Sequence, residues 1–279
     1  MPFGRQEIVN AAQELWRVRK RGFMMKLTDR IRSLFFNLVF YPFTLIFCGL
    51  VVAPMCFART DGPVRRGIRW YCVGSLWVAR ICSGIRYEHR FKEKLPKDGA
   101  IIIAAAHQSN MDPMLTYLLR SDVTALAKKE LFSVPFIGPI LKKARIVKID
   151  RKAKTAHRGM RDVADHVHES GRPLIVYPQA TRVPIGDSKP LKSGAYYLYK
   201  DADLTVYPIA TNTGLFWTKG FWHRAGTAVF QVGDPFPEGL SKEDFMARLH
   251  EEVVVKSNEL IREAGYGNLL PENADARKK

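Results

Sequence analysis

The sequence predicts an α/β fold in which a largely parallel or mixed central sheet is flanked by helices, with an N-terminal helical membrane anchor. Two observations carry that expectation. From Ala100 onward, short apolar runs alternate with helix-patterned segments, the arrangement that builds a sheet covered by helices. Before them, Ser33 to Ala58 contains no charged side chain across 26 residues. A chain of 279 residues is long enough for one large α/β domain with an appendage. The division expected is residues 1–60 as basic, apolar membrane-anchoring helices, 61–267 as the α/β domain and 268–279 as a mobile polar tail.

Taken in order, residues 6–18 come first. Ile8, Val9, Leu15 and Trp16 fall in an amphipathic arrangement that suits a surface helix. The uncharged segment 33–58 follows, with six Phe, four Leu, three Val and one Ile. At the per-residue insertion values for such side chains, they favour membrane insertion by roughly 4 to 8 kcal/mol. About 20 residues suffice to cross the hydrocarbon, but Pro42 and Pro54 each remove a backbone donor and can kink or break a helix. Basic residues stand on both sides: Arg17, Arg19, Lys20, Arg21, Lys26, Arg30 and Arg32 before it, Arg59, Arg65, Arg66 and Arg69 after it. The positive-inside preference therefore gives no vote for a crossing. A hairpin or re-entrant anchor with both ends on the cytoplasmic face fits better, because both flanks then meet anionic lipid on one leaflet. A cleaved signal peptide does not fit a segment this long that ends without an A-x-A site.

Strands are expected at 100–106, 123–127, 146–149, 173–177, 204–209 and 227–232, with helices at 113–119 and 155–169. Ser241 to Ala264 is the clearest helix. It opens on Ser241-Lys242-Glu243-Asp244, a capping pattern, carries Phe245, Leu249, Val253 and Leu260 at helical spacing, and stops at Gly265.

The chemistry concentrates at His107-Gln108-Ser109-Asn110-Met111-Asp112. The strand ending at Ala106 delivers His107 into a loop, and Asp112-Pro113 suggests a helix N-cap followed by proline at the first helical position. On a regular helix, residues five apart would point about 140° away from each other. In a loop Asp112 can instead fold back, take a hydrogen bond from one ring nitrogen and leave the other as a base. Such a spacing alone is common by chance, and its bland alternative is a capping aspartate beside an ordinary loop histidine.

Further blocks accompany it: Lys128-Lys129-Glu130-Leu131-Phe132, Pro135-Phe136-Ile137-Gly138, Val147-Lys148-Ile149-Asp150-Arg151, Tyr177-Pro178-Gln179-Ala180-Thr181-Arg182 and Val206-Tyr207-Pro208-Ile209-Ala210. With His107 and Asp112 they resemble, in order and approximate spacing, the glycerolipid acyltransferases, in particular bacterial 1-acylglycerol-3-phosphate (lysophosphatidic acid) acyltransferases. The likeness covers roughly residues 100–210. It departs from the family at Gln179 and Ala180, where glutamate and glycine are usual. Gln179 keeps the reach of glutamate without its charge, which eases the holding of an anionic acceptor. Ala180 implies either an αR or β backbone, or a strain of about 1 kcal/mol if φ is positive.

The resemblance implies transfer of a fatty acyl group from an acyl thioester to the free hydroxyl of lysophosphatidic acid, giving phosphatidic acid. His107 is then the general base, oriented by Asp112. Arg182, whose planar fork suits a phosphate, is expected to hold the acceptor phosphate with Thr181, Lys128 and Arg151, while backbone N–H groups at the helix start after Asp112 are candidate oxyanion donors. Ser109 and Gln179 are secondary candidates. No cofactor or metal is implied, the thioester of coenzyme A or acyl carrier protein being a co-substrate. Three alternatives stand beside this reading. The first is an acyltransferase for a lysolipid lacking phosphate, such as a lyso amino-acid lipid. The second is a serine hydrolase using Ser109, weakened by the lack of a G-x-S-x-G elbow. The third is a non-catalytic binder of anionic membrane.

Forty-four basic against twenty-seven acidic residues give a net charge of +17, so an anionic partner is expected. Nucleic acid would satisfy the number, but charge flanking an apolar segment points to lipid. An acidic acyl carrier protein or the phosphates of coenzyme A also suit a basic face. Cys48, Cys56, Cys72 and Cys82 form no C-x-x-C pair and read as free thiols of a reducing compartment.

Overall fold

The computed structural model describes residues 25–149 and 156–277. The amphipathic segment 6–18, the basic cluster at 17–21 and Arg151 lie outside the described residues. Helix α1 (Leu27–Ile46) runs through Pro42, continues as a π-helical turn (Phe47–Val52) and ends in a 3-10 turn (Pro54–Phe57). Pro42 thus does not break the helix. Regular α geometry continues past it to Ile46 before the π turn begins, and Pro54 opens the 3-10 turn, where no donor is missed.

Helix α2 (Gly62–Ser83) returns antiparallel to α1. Tyr71 stacks on Phe43 at 6.0 Å between ring centroids and its hydroxyl meets that of Thr44 at 3.2 Å. The bare Cα of Gly74 lies under the Phe43 ring, and that of Gly67 against Val52 and Met55. Small residues at these crossings let the helices close up. Gly84 caps α2 at φ 69, the left-handed conformation glycine takes without strain.

The remaining elements are β1 (Ile85–Arg90), β2 (Ile102–Ala105), α3 (Met111–Leu119), β3 (Thr124–Lys128), α4 (Ile137–Lys143), β4 (Val147–Ile149), α5 (Ala156–Ser170), β5 (Leu174–Val176), α6 (Gly194–Ala202), β6 (Val206–Thr211), β7 (Gly226–Val232), α7 (Lys242–His250), a π turn (Glu251–Val255) and α8 (Lys256–Glu263). They form a 7-stranded sheet in the order β1-β7-β6-β2-β5-β3-β4. Every neighbouring pair is parallel except β6 with β7. The expected mixed α/β sheet flanked by helices is therefore the fold, and each of the expected strands is present. The sequence reading omitted β1, α2, α4 and α6.

Two buried clusters line the faces of the sheet. Ile101, Ile103, Ala105, Ile209 and Phe230 point toward α1, α2 and α3. Ile102, Ala104, Leu174, Val176 and Val206 point toward α5, α6 and α7. Successive residues of β2 thus serve opposite faces, and a fully apolar strand is what a two-sided core requires. Gly138 is explained by close approach, since a Cβ there would collide with the Phe132 carbonyl. The tail expected to be mobile is tied down as far as Asp275: Asn258 Nδ2 donates to Asp275 Oδ1 at 2.9 Å, Arg262 Nη2 to Asp275 Oδ2 at 2.6 Å, and Ala274 is buried.

Among the described residues one helical stretch, Leu27–Phe57, is long and apolar enough to cross a membrane. Only 28% of its apolar window is buried, too little for a core helix. Its inner side is nevertheless tied to the domain. Ser33 Oγ accepts from His223 N at 2.8 Å, Asn37 Nδ2 donates to Phe221 O at 3.0 Å, and Phe36 packs edge-on against Trp217.

Candidate active site

Connections leave the sheet in opposite directions at β2 and β5. The chain from β2 passes over β5 to reach β3, whereas the chain from β5 passes over β2 to reach β6. Such a switch opens a crevice at the carboxyl edge of the strands, where ligands of open α/β sheets bind. His107 lies just beyond β2 at that edge, and Tyr177, Gln179 and Arg182 just beyond β5.

Asp112 Oδ2 accepts from His107 Nδ1 at 2.9 Å, so the two side chains meet. The same oxygen accepts from the backbone amides of Gln108 and Ser109, each at 2.7 Å. Asp112 Oδ1 accepts the Thr213 hydroxyl, and the carboxylate is wholly buried. With Nδ1 engaged, Nε2 is the imidazole nitrogen left for a substrate, and the His107 side chain keeps 19% of its surface exposed. The capping and orienting readings of Asp112 are thus not exclusive, because one carboxylate closes the loop amides and holds the ring.

The helix starts earlier than expected. Asn110 is the N-cap of α3, which puts Asp112 and Pro113 inside its first turn. Pro113 is still tolerated there, since first-turn amides have no partner inside the helix. Of the amides before and after Asp112, Gln108 N and Ser109 N are taken by its carboxylate, Met111 N donates to Ser109 Oγ at 2.9 Å, and Pro113 has no N–H, so none of these four positions offers an oxyanion donor. Ser109 is completely buried in this bond network. Its hydroxyl props the turn and does not face the crevice as a nucleophile would.

The loop after β5 forms the opposite wall. Tyr177 stacks on the His107 ring with centroids 4.1 Å apart and planes 23° from parallel. Burial, followed by the nearby Asp112 carboxylate, raises the Tyr177 phenol well above its ordinary range, so it stays neutral beside the imidazole. Gln179 Oε1 accepts from His107 N at 2.7 Å, and Val183 N donates to His107 O at 2.8 Å. Both backbone groups of His107 are therefore held by the loop that carries Arg182. Ala180 adopts φ 57, so the strained alternative is the one realised.

Arg182 Nη1 donates to Asn110 Oδ1 at 2.9 Å, which ties the guanidinium to the rim of the His107 loop. Thr181 is half-buried on the same turn. Lys128 is exposed at the end of β3. The register Thr124↔Leu174↔Ile102 puts it level with Ala106 on the same edge, two strand spacings or about 10 Å to the side. Three partners escaped the sequence reading: Thr213, Tyr177 as a stacking group, and Asn110. Thr213 had no local signal, since only the pairing Ala105↔Ile209 brings the end of β6 beside His107.

Residues 86–212 match the family model described as acyltransferase. The chain is 29% identical to the 1-acyl-sn-glycerol-3-phosphate acyltransferase of Pseudomonas aeruginosa over 75% of this chain and 82% of that one. It is 28% identical to the human 1-acyl-sn-glycerol-3-phosphate acyltransferase beta over 75% of this chain and 78% of that one. Among solved structures, the crystal structure of the 1-acyl-sn-glycerophosphate acyltransferase PlsC from Thermotoga maritima superposes with a TM-score of 0.67 at 22% identity, covering 83% of this chain and 97% of that one. The last likeness is one of fold.

Proposed function

With an acyltransferase-family domain at residues 86–212 as the premise, we propose that this enzyme transfers a fatty acyl group from an acyl thioester to the free hydroxyl of lysophosphatidic acid, giving phosphatidic acid. The observation that carries the proposal is the 2.9 Å bond between His107 Nδ1 and the buried Asp112, with Arg182 anchored to the same loop. Nε2 of His107 takes the hydroxyl proton as that oxygen bonds to the thioester carbonyl carbon. The C–S bond then breaks, and the leaving thiolate takes the proton back from the imidazolium. Asp112 stabilises the cation in between. No group on the protein is acylated.

Arg182, with Thr181 beside it and Lys128 across the edge, holds the acceptor phosphate. Gln179 fits that anion, for it occupies the wall of the site without adding a negative charge. The donor is a thioester of coenzyme A or acyl carrier protein, either of which carries acidic groups suited to the basic surface.

The enzyme works at the cytoplasmic face of a membrane, inserted through the outer sides of α1 and α2. Leu34, Leu38, Leu45, Leu50, Trp77 and Ile81 are all exposed there, from 60% to 74%, a concentration of apolar side chains that soluble monomers rarely keep in water. The bonds of Ser33 and Asn37 to the domain favour a helix lying along the bilayer over one crossing it.

An assay with acyl thioester and lysophosphatidic acid tests the chemistry. His107→Ala should lower kcat by roughly 10²- to 10⁴-fold with the fold intact. Equal product from both proteins would remove the proposed base. Arg182→Ala should chiefly raise KM for the phosphate-bearing acceptor; unaltered kinetics would turn the assignment toward an acceptor lacking phosphate.

A further inference from the structure

At the open end of the α1/α2 hairpin, far from the Asn110–Arg182 rim, three arginines from three elements face one concavity. Arg32 comes from α1, Arg80 from the last turn of α2 and Arg86 from β1, and Ile81, Gly84, Ala225, Gly226 and Thr227 complete the lining. The walls are fixed by structure and not by side-chain chance. Gly84 lacks a Cβ beneath the Arg32 guanidinium, whose Nη1 lies 3.6 Å from where one would stand, and Gly226 holds its backbone close against the Phe216 ring. No carboxylate lines the concavity. Asp29, in the first turn of α1, accepts from Ala225 N at 3.5 Å.

Three like charges around one hollow repel one another unless an anion sits between them. Location indicates its source. Ile81 lines the hollow and is itself 60% exposed, beside Trp77, on the side of α2 that continues the apolar face. The hollow therefore opens where a leaflet's headgroups meet protein if that face is immersed.

We propose that Arg32, Arg80 and Arg86 form a binding site for the phosphate group of an anionic membrane lipid, separate from the acceptor site. The proposal rests on the reading that α1 and α2 lie in the membrane. It is separate because Arg86 lies on the edge strand β1 and pairs with Thr227 of the neighbouring β7. Three strand spacings and about three residues of rise set it on the order of 15–20 Å from His107, too far for one lysophosphatidic acid headgroup to serve both. Arginine suits the task, since its fork grips a phosphate bidentately and still stacks along apolar surface. The consequence is orientation. A lipid held here fixes the hairpin's open end at headgroup depth and turns the carboxyl edge of the sheet toward the same leaflet.

Co-sedimentation of the full-length protein with two vesicle compositions tests this, one of phosphatidylcholine alone and one with a fifth of it replaced by phosphatidylglycerol. The variant is R32Q/R80Q/R86Q, all at exposed positions; a control triple, K92Q/K97Q/K200Q, makes the same charge change elsewhere. The arginine variant should lose on the order of 100-fold of the extra affinity for the anionic vesicles, keep its binding to phosphatidylcholine, and keep turnover of a short-chain, water-soluble lysophosphatidic acid. An equal loss in the control triple would reduce the site to general charge and overturn it. Loss of phosphatidylcholine binding in the wild type would instead sink the membrane reading itself. A rise in Tm with inorganic phosphate at constant ionic strength, abolished in the arginine variant while vesicle binding is unchanged, would overturn the lipid as source in favour of free phosphate.

Discussion

At the scale of single residues, the two unusual positions of the Tyr177–Arg182 block, Gln179 and Ala180, separate cleanly. Gln179 spends its carbonyl oxygen on the amide of His107 at 2.7 Å, a bond a carboxylate would make as well. Gln179→Glu should therefore leave kcat within a few-fold, whereas Gln179→Leu orphans a partly buried amide at a cost of about 1 to 3 kcal/mol and displaces His107. Parallel urea melts and initial rates of the two variants check this, and equal losses in both would remove the bond from the argument. Ala180 is different. Its φ of 57 is one that glycine adopts freely, so Ala180→Gly should gain up to about 1 kcal/mol, offset in part by glycine's larger unfolded-state entropy. A midpoint that falls in denaturant would show that the strain is not there. The sequence posed this as a choice between two backbones and had no means of deciding it, because φ follows from the turn that returns the chain to Val183. His107 and Asp112 were legible for a simple reason: a strand ending and a helix beginning within six residues force the loop that lets them meet.

Elements show where patterning informs and where it fails. Strands at 102–105, 174–176 and 206–211 are buried on both faces, so their apolar runs announced them, whereas 124–128 is buried only at Thr124 and showed itself by Ala125-Leu126-Ala127. β1 was missed because it is an edge strand whose residues Arg86, Tyr87 and Glu88 are exposed, and charge there protects a free edge while hiding the alternation. α1 is the opposite case, an evident apolar segment whose docking was invisible. Ser33 and Asn37, four residues apart and so on one side of the helix, bond the backbone at Phe221 and His223. That polar pair within the uncharged stretch of α1 selects one orientation against the domain. S33A/N37L should leave these backbone groups without partners, cost about 2 to 5 kcal/mol, and raise hydrogen exchange across 27–46 while the central sheet stays protected. Uniform protection in the variant would mean the helix is held by its phenylalanines alone.

For the whole molecule, the apolar helix α1 and the Asp112 wall of the candidate site meet at one joint. The loop 217–223 that receives α1 follows β6 by way of Thr213, whose hydroxyl bonds Asp112. Nothing in the sequence revealed that route, since it depends on β6 lying beside β2 despite about a hundred intervening residues. The joint is also titratable. His223 is buried edge-on against Phe36 at 4.8 Å, and its Nδ1 has no hydrogen-bond partner. Burial pushes its pKa down from 6.5 to about 4, against a smaller upward influence from the Trp222 backbone. The unfolded chain therefore binds a proton between those values while the folded chain does not, so stability must rise with pH there. The contribution is complete above pH 6.5 and is lost as pH falls toward 4; between pH 7 and 5 the loss is about 2 kcal/mol. Burial likewise lowers His89 and His250, which steepens the same acid limb, whereas the depressed carboxylates Asp122, Asp234, Asp275 and Glu263 act only further down. His223→Phe isolates the joint. Urea midpoints at pH 7 and pH 5 should converge by about 2 kcal/mol relative to the unsubstituted protein, because phenylalanine fills the same aromatic nest and cannot take a proton. If the pH 7 to pH 5 difference is unchanged in that variant, acid loosening starts elsewhere and the coupling of α1 to the Asp112 wall through His223 fails with it.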